Sequence, residues 1–317
     1  MDRLSAAIEA VKKQLPEIKL RLDEPMKNHT SFKIGGTVSA MFFPASQAEL
    51  ARLCCLLSDV QCKPLIMGNG TNLLVEDGVL ELLVIKTNGG MGSIALTGEN
   101  EITAESGALL SKLAVFAQKH GLAGFEFAHG IPGTLGGAVS MNAGAYGGEI
   151  RDVVASTTAI DAGAGSSSWS GPNVLRGEEQ EFSYRHSRFS DTDSVLLSSV
   201  LKLKPGQPEE IKARMDELSS KRCASQPLNL PSAGSTFKRP KNGYAAALIE
   251  QAGLKGYSVG GAQVSEKHSG FVVNTGGASF SDVMAVMEHV REEVLRQFGT
   301  ELEPEVKIIR SNALREG

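Results

Sequence analysis

A chain of 317 residues with 32 Lys and Arg against 36 Asp and Glu, a net charge of −4, 41% hydrophobic and 21% charged residues excludes a protein that gains its affinity by neutralising nucleic-acid phosphates, and excludes a disordered one. At roughly 100 to 200 residues per domain, the length predicts two domains that can each bury a core. Cys54, Cys55, Cys62 and Cys223 have neither the density nor the spacing of a disulfide framework or zinc site, so reduced, mostly buried thiols are expected.

The N-terminal MDRLSAAIEAVKKQL mixes charges with apolar residues at helical spacing. It lacks the unbroken apolar stretch of a signal peptide, which predicts a helix and a cytoplasmic protein. PMKNHTSFKIGG reads as a loop and TVSAMFFPAS as a strand; Ser46 with Glu49 three residues on predicts a capped helix carrying Cys54 and Cys55. PLIMG, VLELLVIKT, GSIALTG and EITAESG follow as strands, then a helix over 108–120.

Residues 121–148 carry the sharpest shift in composition: glycine fills about a third of positions, against ~7% in an average protein. No Asp, Glu, Lys or Arg occurs between Glu126 and Glu149, yet Pro132, Asn142 and the glycines argue against a membrane span. EIRDVV is expected to resume a helix, STTAIDA and SVLLSSVLKLK to be strands, and EEIKARMDELSSKRCAS a charged helix, with a domain boundary near 205. GAGSSSWSGP reads as a flexible loop. Beyond it, PLNLPSAGSTFKRP is expected as a structured loop, AAALIEQAG as a helix ended by Gly253, and SGFVVNTGG as a strand. Ser281 is expected to cap a long helix, and LEPEVKIIR to close the chain as a strand.

The motifs narrow the chemistry. GNGTNL places Leu73 where the third glycine of GxGxxG would stand, and neither GxxxxGK[ST], HExxH nor GxSxG occurs. What remains is two glycine-rich loops, GNGTNLL at 68–74 and GIPGTLGGAVSMNAGAYGG at 130–148. Successive main-chain N–H groups in such loops suit a pyrophosphate, and Thr71, Asn72, Thr134, Ser140 and Asn142 add neutral hydrogen bonds. Ile131, Leu135, Val139 and Met141 could wall an aromatic ring system, which points to a flavin nucleotide. The competing reading is that the glycines only make tight turns.

In order along the chain, NHTSFKIGG, GNGTNLL, GIPGTLGGAVSMNAGAYGG, FSYRHSRF, PSAGSTFKRP, AAALIEQAGLKG and LEPEV resemble the UDP-N-acetylenolpyruvoylglucosamine reductase family, and the resemblance spans most of the chain. It implies an α+β fold: an FAD-binding domain of the vanillyl-alcohol-oxidase/PCMH type, followed by a C-terminal α/β substrate-binding domain. The expected domains are 1–205, with lobes at about 20–100 and 101–205, and 206–317, whose last strand returns to the active site. The resemblance also implies FAD as cofactor and NADPH as electron donor, used to reduce UDP-N-acetylglucosamine enolpyruvate to UDP-N-acetylmuramate for peptidoglycan, and hence a role in cell-wall growth, shape and division. Composition is silent on oligomeric state; a monomer without membrane span, metal or nucleic-acid partner is the expectation.

By resemblance, Ser235 is the proton donor, Arg185 holds the enolpyruvyl carboxylate and Glu305 supports protonation. Hydride addition leaves carbanion character beside a carboxylate, which calls for a cation and an acid. The cofactor loops carry Gly68, Asn69, Gly70, Thr71, Asn72 and Leu73, and then Gly130, Pro132, Gly133, Gly136, Gly137, Ser140, Asn142 and Gly144; Arg222 is a further candidate for the cofactor pyrophosphate. Tyr184, Arg239 and Lys255 are candidate substrate contacts. Each has a plainer reading. A serine after glycine is commonly a turn residue, Arg185 or Arg188 could form a surface ion pair, and Glu301, Glu303 and Glu305 alternate along one face. The residues alone do not separate those three carboxylates. His29, His129 and His268 receive no catalytic role.

Two departures mark this sequence. The interval from Arg185 to Ser235 is short, and neither Tyr244 nor Tyr257 sits in the insertion that carries a substrate-covering tyrosine in longer members, so this is the compact form. Arg239 stands where many relatives have asparagine, and Arg310 replaces a common glycine. Two other functions remain in view: a flavin oxidase using oxygen, against which the AGS serine and LEPEV carboxylate argue, and a catalytically silent UDP-sugar-binding protein, against which Ser235, Arg185 and Glu305 together argue.

Overall fold

The computed structural model describes residues 2–162, 171–190 and 192–311. The chain divides into two compact units, each gathered from separate stretches: residues 1–22, 40–69 and 82–220 form the first, and 23–39, 70–81 and 221–317 the second.

The first unit opens on helix α1 (Arg3–Gln14), where the Asp2 carboxylate accepts the Ser5 N–H at 2.8 Å. Helix α2 (Gln47–Asp59) starts at Ser46, whose hydroxyl accepts the Glu49 N–H at 3.2 Å. The Glu49 carboxylate reaches back past Ser46 to the Ala45 N–H at 2.8 Å, a variant of the expected capping box. Val11 of α1 and Leu50, Leu53, Cys54 and Leu57 of α2 bury together with Phe42, Ile85 and Leu197. Leu53 is fully buried, and truncating such a leucine to alanine costs about 2–5 kcal/mol. Burial also pushes the Cys54 thiol up to about 12, so it is an inert core group. Cys54, Cys55 and Cys62 are buried and Cys223 is exposed, all four without disulfide partners.

A five-stranded antiparallel sheet carries the rest of this unit, in the order Asn173–Arg176, Val154–Asp161, Ser194–Lys202, Glu101–Glu105, Ile94–Gly98. Its register sets Thr157 opposite Ser199 and Val200 opposite Thr103. Helices α3 (Leu110–Lys119) and α4 (Leu135–Ser140) share a core with it, made by Ile102, Leu113, Leu135, Val139 and Leu201. Strand Leu65–Met67 runs parallel to the end of Val79–Lys86, Leu65 opposite Val84. It delivers the chain to Gly68 at the start of the first glycine-rich loop. Helix α5 (Pro208–Ser225) begins on Pro208, whose missing N–H needs no partner there.

The second unit is built on a three-stranded antiparallel sheet, Ser258–Val259, Ala262–Val264 and Val272–Asn274. Helix α6 (Ala245–Gln251) ends before Gly253, which adopts a left-handed φ of 74° as expected of a helix stop. Helix α7 (Phe280–Phe298) buries Val283, Val286, Met287, Val290 and Val294, spaced so that one face meets Phe237, Ile249, Val272 and Val306. A short parallel pair, Leu73–Val75 with Lys307–Ile309, ties the first glycine-rich loop to the end of the chain.

Four local expectations are corrected. EIRDVV is not a helix: Ile150–Asp152 makes one 3-10 turn and Val154 begins a strand. The Asp152 carboxylate loops back to the Glu149 N–H at 2.9 Å, and two β-branched valines then favour extended chain. The cap of α7 is Ser279, not Ser281, because Asp282 stands three residues after Ser279 and completes a reciprocal box with it. LEPEVKIIR is a strand only at Lys307–Ile309. The glycine-rich segment is not all loop, since it contains α4 and a hairpin of Gly144–Ala145 with Gly148–Glu149. The loop expected at GAGSSSWSGP falls mainly on 163–170, outside the described residues. No helix among the described residues is long and apolar enough to cross a membrane.

Candidate active site

Within the first unit, the two glycine-rich loops are fastened to each other. The Asn69 side chain donates to the Pro132 carbonyl at 2.9 Å and accepts from the Asn88 amide at 2.8 Å. A Cβ at Gly68 would lie 2.0 Å from the Thr134 hydroxyl oxygen, so no larger residue fits where the loops touch. The Gly136 N–H donates to the Ser106 carbonyl at 2.8 Å, which seats the start of α4 against the end of strand Glu101–Glu105. Gly68, Asn69, Gly130, Pro132, Gly133, Gly136, Gly137, Ser140, Asn142, Gly144, Tyr184 and Arg185 all belong to this unit.

The SYRHSRF segment packs on the C-terminal end of α4. The Ser187 and Ser190 hydroxyls both donate to the Ser140 carbonyl, at 2.9 and 2.6 Å, while the Ser140 hydroxyl donates to the Phe189 carbonyl at 3.2 Å. Asn142 is fully buried; its amide donates to Glu149 at 2.9 Å and to the Ser183 carbonyl at 3.0 Å, and its oxygen accepts the Arg151 N–H at 3.0 Å. Its side chain therefore joins three pieces of chain, and its own N–H donates to the Val139 carbonyl at 3.1 Å. Ser183 and His186 exchange two main-chain hydrogen bonds around Tyr184 and Arg185. Arg185 takes a left-handed φ of 56°, and its guanidinium lies 5.0 Å from the exposed Tyr184 ring. The neighbouring Arg188 pairs with Glu181 at 3.4 Å. Arg188 thus makes a surface ion pair, and Arg185 occupies the tip of a tight turn.

The second unit holds Gly70, Thr71, Asn72, Leu73, Arg222, Ser235, Arg239, Lys255 and Glu305. Its PSAGSTFKRP stretch is pinned at both ends: Ser232 bridges Val273, and Phe237 bridges Pro304. The Thr236 carbonyl accepts the Glu305 N–H at 2.8 Å, so exposed Ser235 and half-buried Glu305 lie on adjoining extended segments. The three carboxylates that alternate in sequence part here. Glu303 forms an ion pair with Lys238, Glu301 lies 3.7 Å from Arg291, and Glu305 is held from both sides by its own main chain. Arg239 stacks on Tyr244 at 4.1 Å and donates to the Gly243 carbonyl at 3.3 Å. Lys255 pairs with Glu250 at 2.7 Å, and Arg222 reaches Gln226 at 3.5 Å from the last turn of α5.

A family model described as the FAD binding domain matches residues 38–167, and one described as the C-terminal domain of UDP-N-acetylenolpyruvoylglucosamine reductase matches residues 226–309. A UDP-N-acetylenolpyruvoylglucosamine reductase of Caldanaerobacter subterraneus subsp. tengcongensis is 48% identical over 95% of this chain and 97% of its own. The chain belongs to the UDP-N-acetylenolpyruvoylglucosamine reductase family. The member from Clostridioides difficile is 45% identical over 92% of this chain and 93% of its own. The crystal structure of the Thermus caldophilus enzyme superposes with a TM-score of 0.76 at 32% identity, covering 92% of this chain and 98% of that one. The reductase family is thus shown along nearly the whole chain, and with it the arrangement of an FAD-binding domain followed by the family's C-terminal domain.

The first unit's residues fit FAD. The Thr134 and Ser106 hydroxyls and the Nδ1 of His129 are buried without a hydrogen-bond partner among the described residues, and buried polar groups are ordinarily paired. All three adjoin the second glycine-rich loop, where a cofactor rich in acceptors would satisfy them. Ser106 escaped the sequence reading because it lies in EITAESG, a stretch read only as strand; the signal was the serine just before the glycine that ends it.

Proposed function

We propose that this chain reduces UDP-N-acetylglucosamine enolpyruvate to UDP-N-acetylmuramate with electrons from NADPH, in cytoplasmic peptidoglycan synthesis, and that Arg185, Ser235 and Glu305 carry the chemistry. The chemistry that FAD would supply when bound is hydride transfer from NADPH to the methylene carbon of the enolpyruvyl ether. Arg185 holds the enolpyruvyl carboxylate through bidentate hydrogen bonds suited to a planar anion, drawing off the negative charge that builds up on the adjacent carbon. Ser235 delivers its hydroxyl proton to that carbon, and Glu305 supports the transfer. The main chain of Gly68, Asn69, Gly70, Thr71, Asn72 and Leu73, together with Gly130, Pro132, Gly133, Gly136, Gly137, Ser140, Asn142, Gly144 and Arg222, holds the cofactor, and Tyr184, Arg239 and Lys255 the substrate.

The observation that carries this reading is family membership at 48% identity over 95% of the chain, together with AGSTF, SYRHSRF and LEPEV standing in order along it. The pairing of Thr236 with Glu305 supports it further, because it sets the residue after Ser235 against Glu305 itself. The test is anaerobic stopped-flow absorbance: the purified holoprotein is reduced with NADPH and then mixed with UDP-N-acetylglucosamine enolpyruvate. Return of the oxidised flavin band on mixing is the expected result. A reduced flavin that only oxygen reoxidises would replace this reading with an oxidase.

A further inference from the structure

Asn72 belongs by sequence to the loop marked for the cofactor, yet its side chain is engaged elsewhere. Its amide donates to the main-chain carbonyl of Glu305 at 3.0 Å, across 233 positions of sequence. Its own carbonyl accepts the Lys307 N–H at 2.9 Å, one step before the parallel ladder that pairs Leu73 with Lys307 and Val75 with Ile309. Asn72 thus extends that ladder past its last main-chain rung with a side-chain one. The Glu305 peptide is gripped on its N–H side by Thr236 and on its carbonyl side by Asn72. Only a short side chain with an N–H donor makes this bond; aspartate has the same shape but no donor at neutral pH.

We infer that Asn72 is a positioning residue for Glu305, fixing the carboxylate segment relative to Ser235 and linking the cofactor loop to the proton-delivery pair. The inference rests on the proposed reaction for the role of Glu305. Two neighbouring attachments of the Glu305 segment are to the Ser235 segment, the Thr236 bond and the Phe237–Pro304 bridge. Without the Asn72 amide the segment keeps these and the Lys307 N–H bond to the main-chain carbonyl of residue 72, and loses only the bond that holds the Glu305 carbonyl, so Glu305 shifts while the fold stays. A displacement of about 1 Å in a catalytic group can cost about 10²-fold in rate.

The experiment uses the flavin-loaded full chain as wild type, Asn72→Ala, Asn72→Asp, Glu305→Gln and the double variant Asn72→Ala/Glu305→Gln. It reads bound-flavin absorbance, melting temperature, the rate of flavin reduction by NADPH, and the pH profile of reoxidation by UDP-N-acetylglucosamine enolpyruvate. Wild-type reoxidation tests the reaction itself, so failure of that reading is seen before any variant is compared. The expected result is retained flavin, unchanged reduction, reoxidation slowed about 10- to 100-fold with a displaced pH profile, and no further loss when Asn72→Ala is added to Glu305→Gln. Equal slowing of both half-reactions, loss of flavin, additive losses in the double variant, or failure of both Asn72 variants to fold would each overturn it.

Discussion

The main-chain N–H of Glu305 donates to the carbonyl of Thr236 at 2.8 Å, and Ser235 is the residue immediately before Thr236. A proposed proton donor and a proposed supporting carboxylate, 70 positions apart in sequence, are thereby carried on paired segments. Ser235→Ala is expected to leave flavin reduction by NADPH intact and to slow reoxidation by the enolpyruvyl substrate about 10²- to 10⁴-fold, the usual loss for one general acid. Rapid-mixing absorbance separates the two steps, and unchanged reoxidation would remove Ser235 from the mechanism.

Arg185 stands at the tip of a turn closed by Ser183 and His186, so its removal leaves the supporting hydrogen bonds in place. Arg185→Ala is expected to retain FAD and raise KM for the enolpyruvyl substrate by about 10- to 100-fold, the worth of hydrogen bonds to a charged group. Steady-state kinetics alongside flavin absorbance checks this. Loss of flavin with KM unchanged would place the guanidinium on the cofactor.

Asn142 joins Glu149, Ser183 and Arg151 from a fully buried position. Asn142→Ala is expected to destabilise the protein by about 1–3 kcal/mol for each group stranded in the interior. Asn142→Asp is expected to be worse, since it turns two donated bonds into repulsive contacts with acceptors. Urea unfolding of the two variants gives the order; equal midpoints with wild type would show that the three segments hold without it.

His268 accepts the Gly270 N–H at its Nδ1 at 3.2 Å, and burial holds its pKa below the ordinary 6.5. The unfolded chain therefore takes up a proton on this ring as pH falls below 6.5, while the folded chain resists until lower pH. Stability present above the unfolded value is lost as pH drops through the folded one. His268→Gln is expected to remove that part of the acid destabilisation, measured as the change in urea midpoint between about pH 8 and pH 5. Identical pH slopes in the two proteins would contradict it.

Much of the local structure was legible. The caps at Ser46 and Gly253 and the apolar spacing of α7 act within a turn or two of chain, so the sequence displays them directly. Ser279 was missed only because the acidic partner three residues on, rather than the serine nearest the helix, decides the cap. The candidate site was legible as motifs and not as geometry. Nothing in the spelling of LEPEV says that Glu303 meets Lys238 while Glu305 is clasped by Thr236 and Asn72.

By itself the sequence displayed most of the longer helices and strands, the two glycine-rich stretches, and the family to which the ordered motifs are similar, because propensity, capping and periodicity are short-range. Tertiary structure decided the rest. It placed residues 23–39 and 70–81 with 221–317 in one unit, and the side chain of Asn72 on Glu305 rather than in its own loop. Contacts of that kind are fixed by strand register and core packing between distant segments, and a one-residue shift in register would exchange the groups that meet.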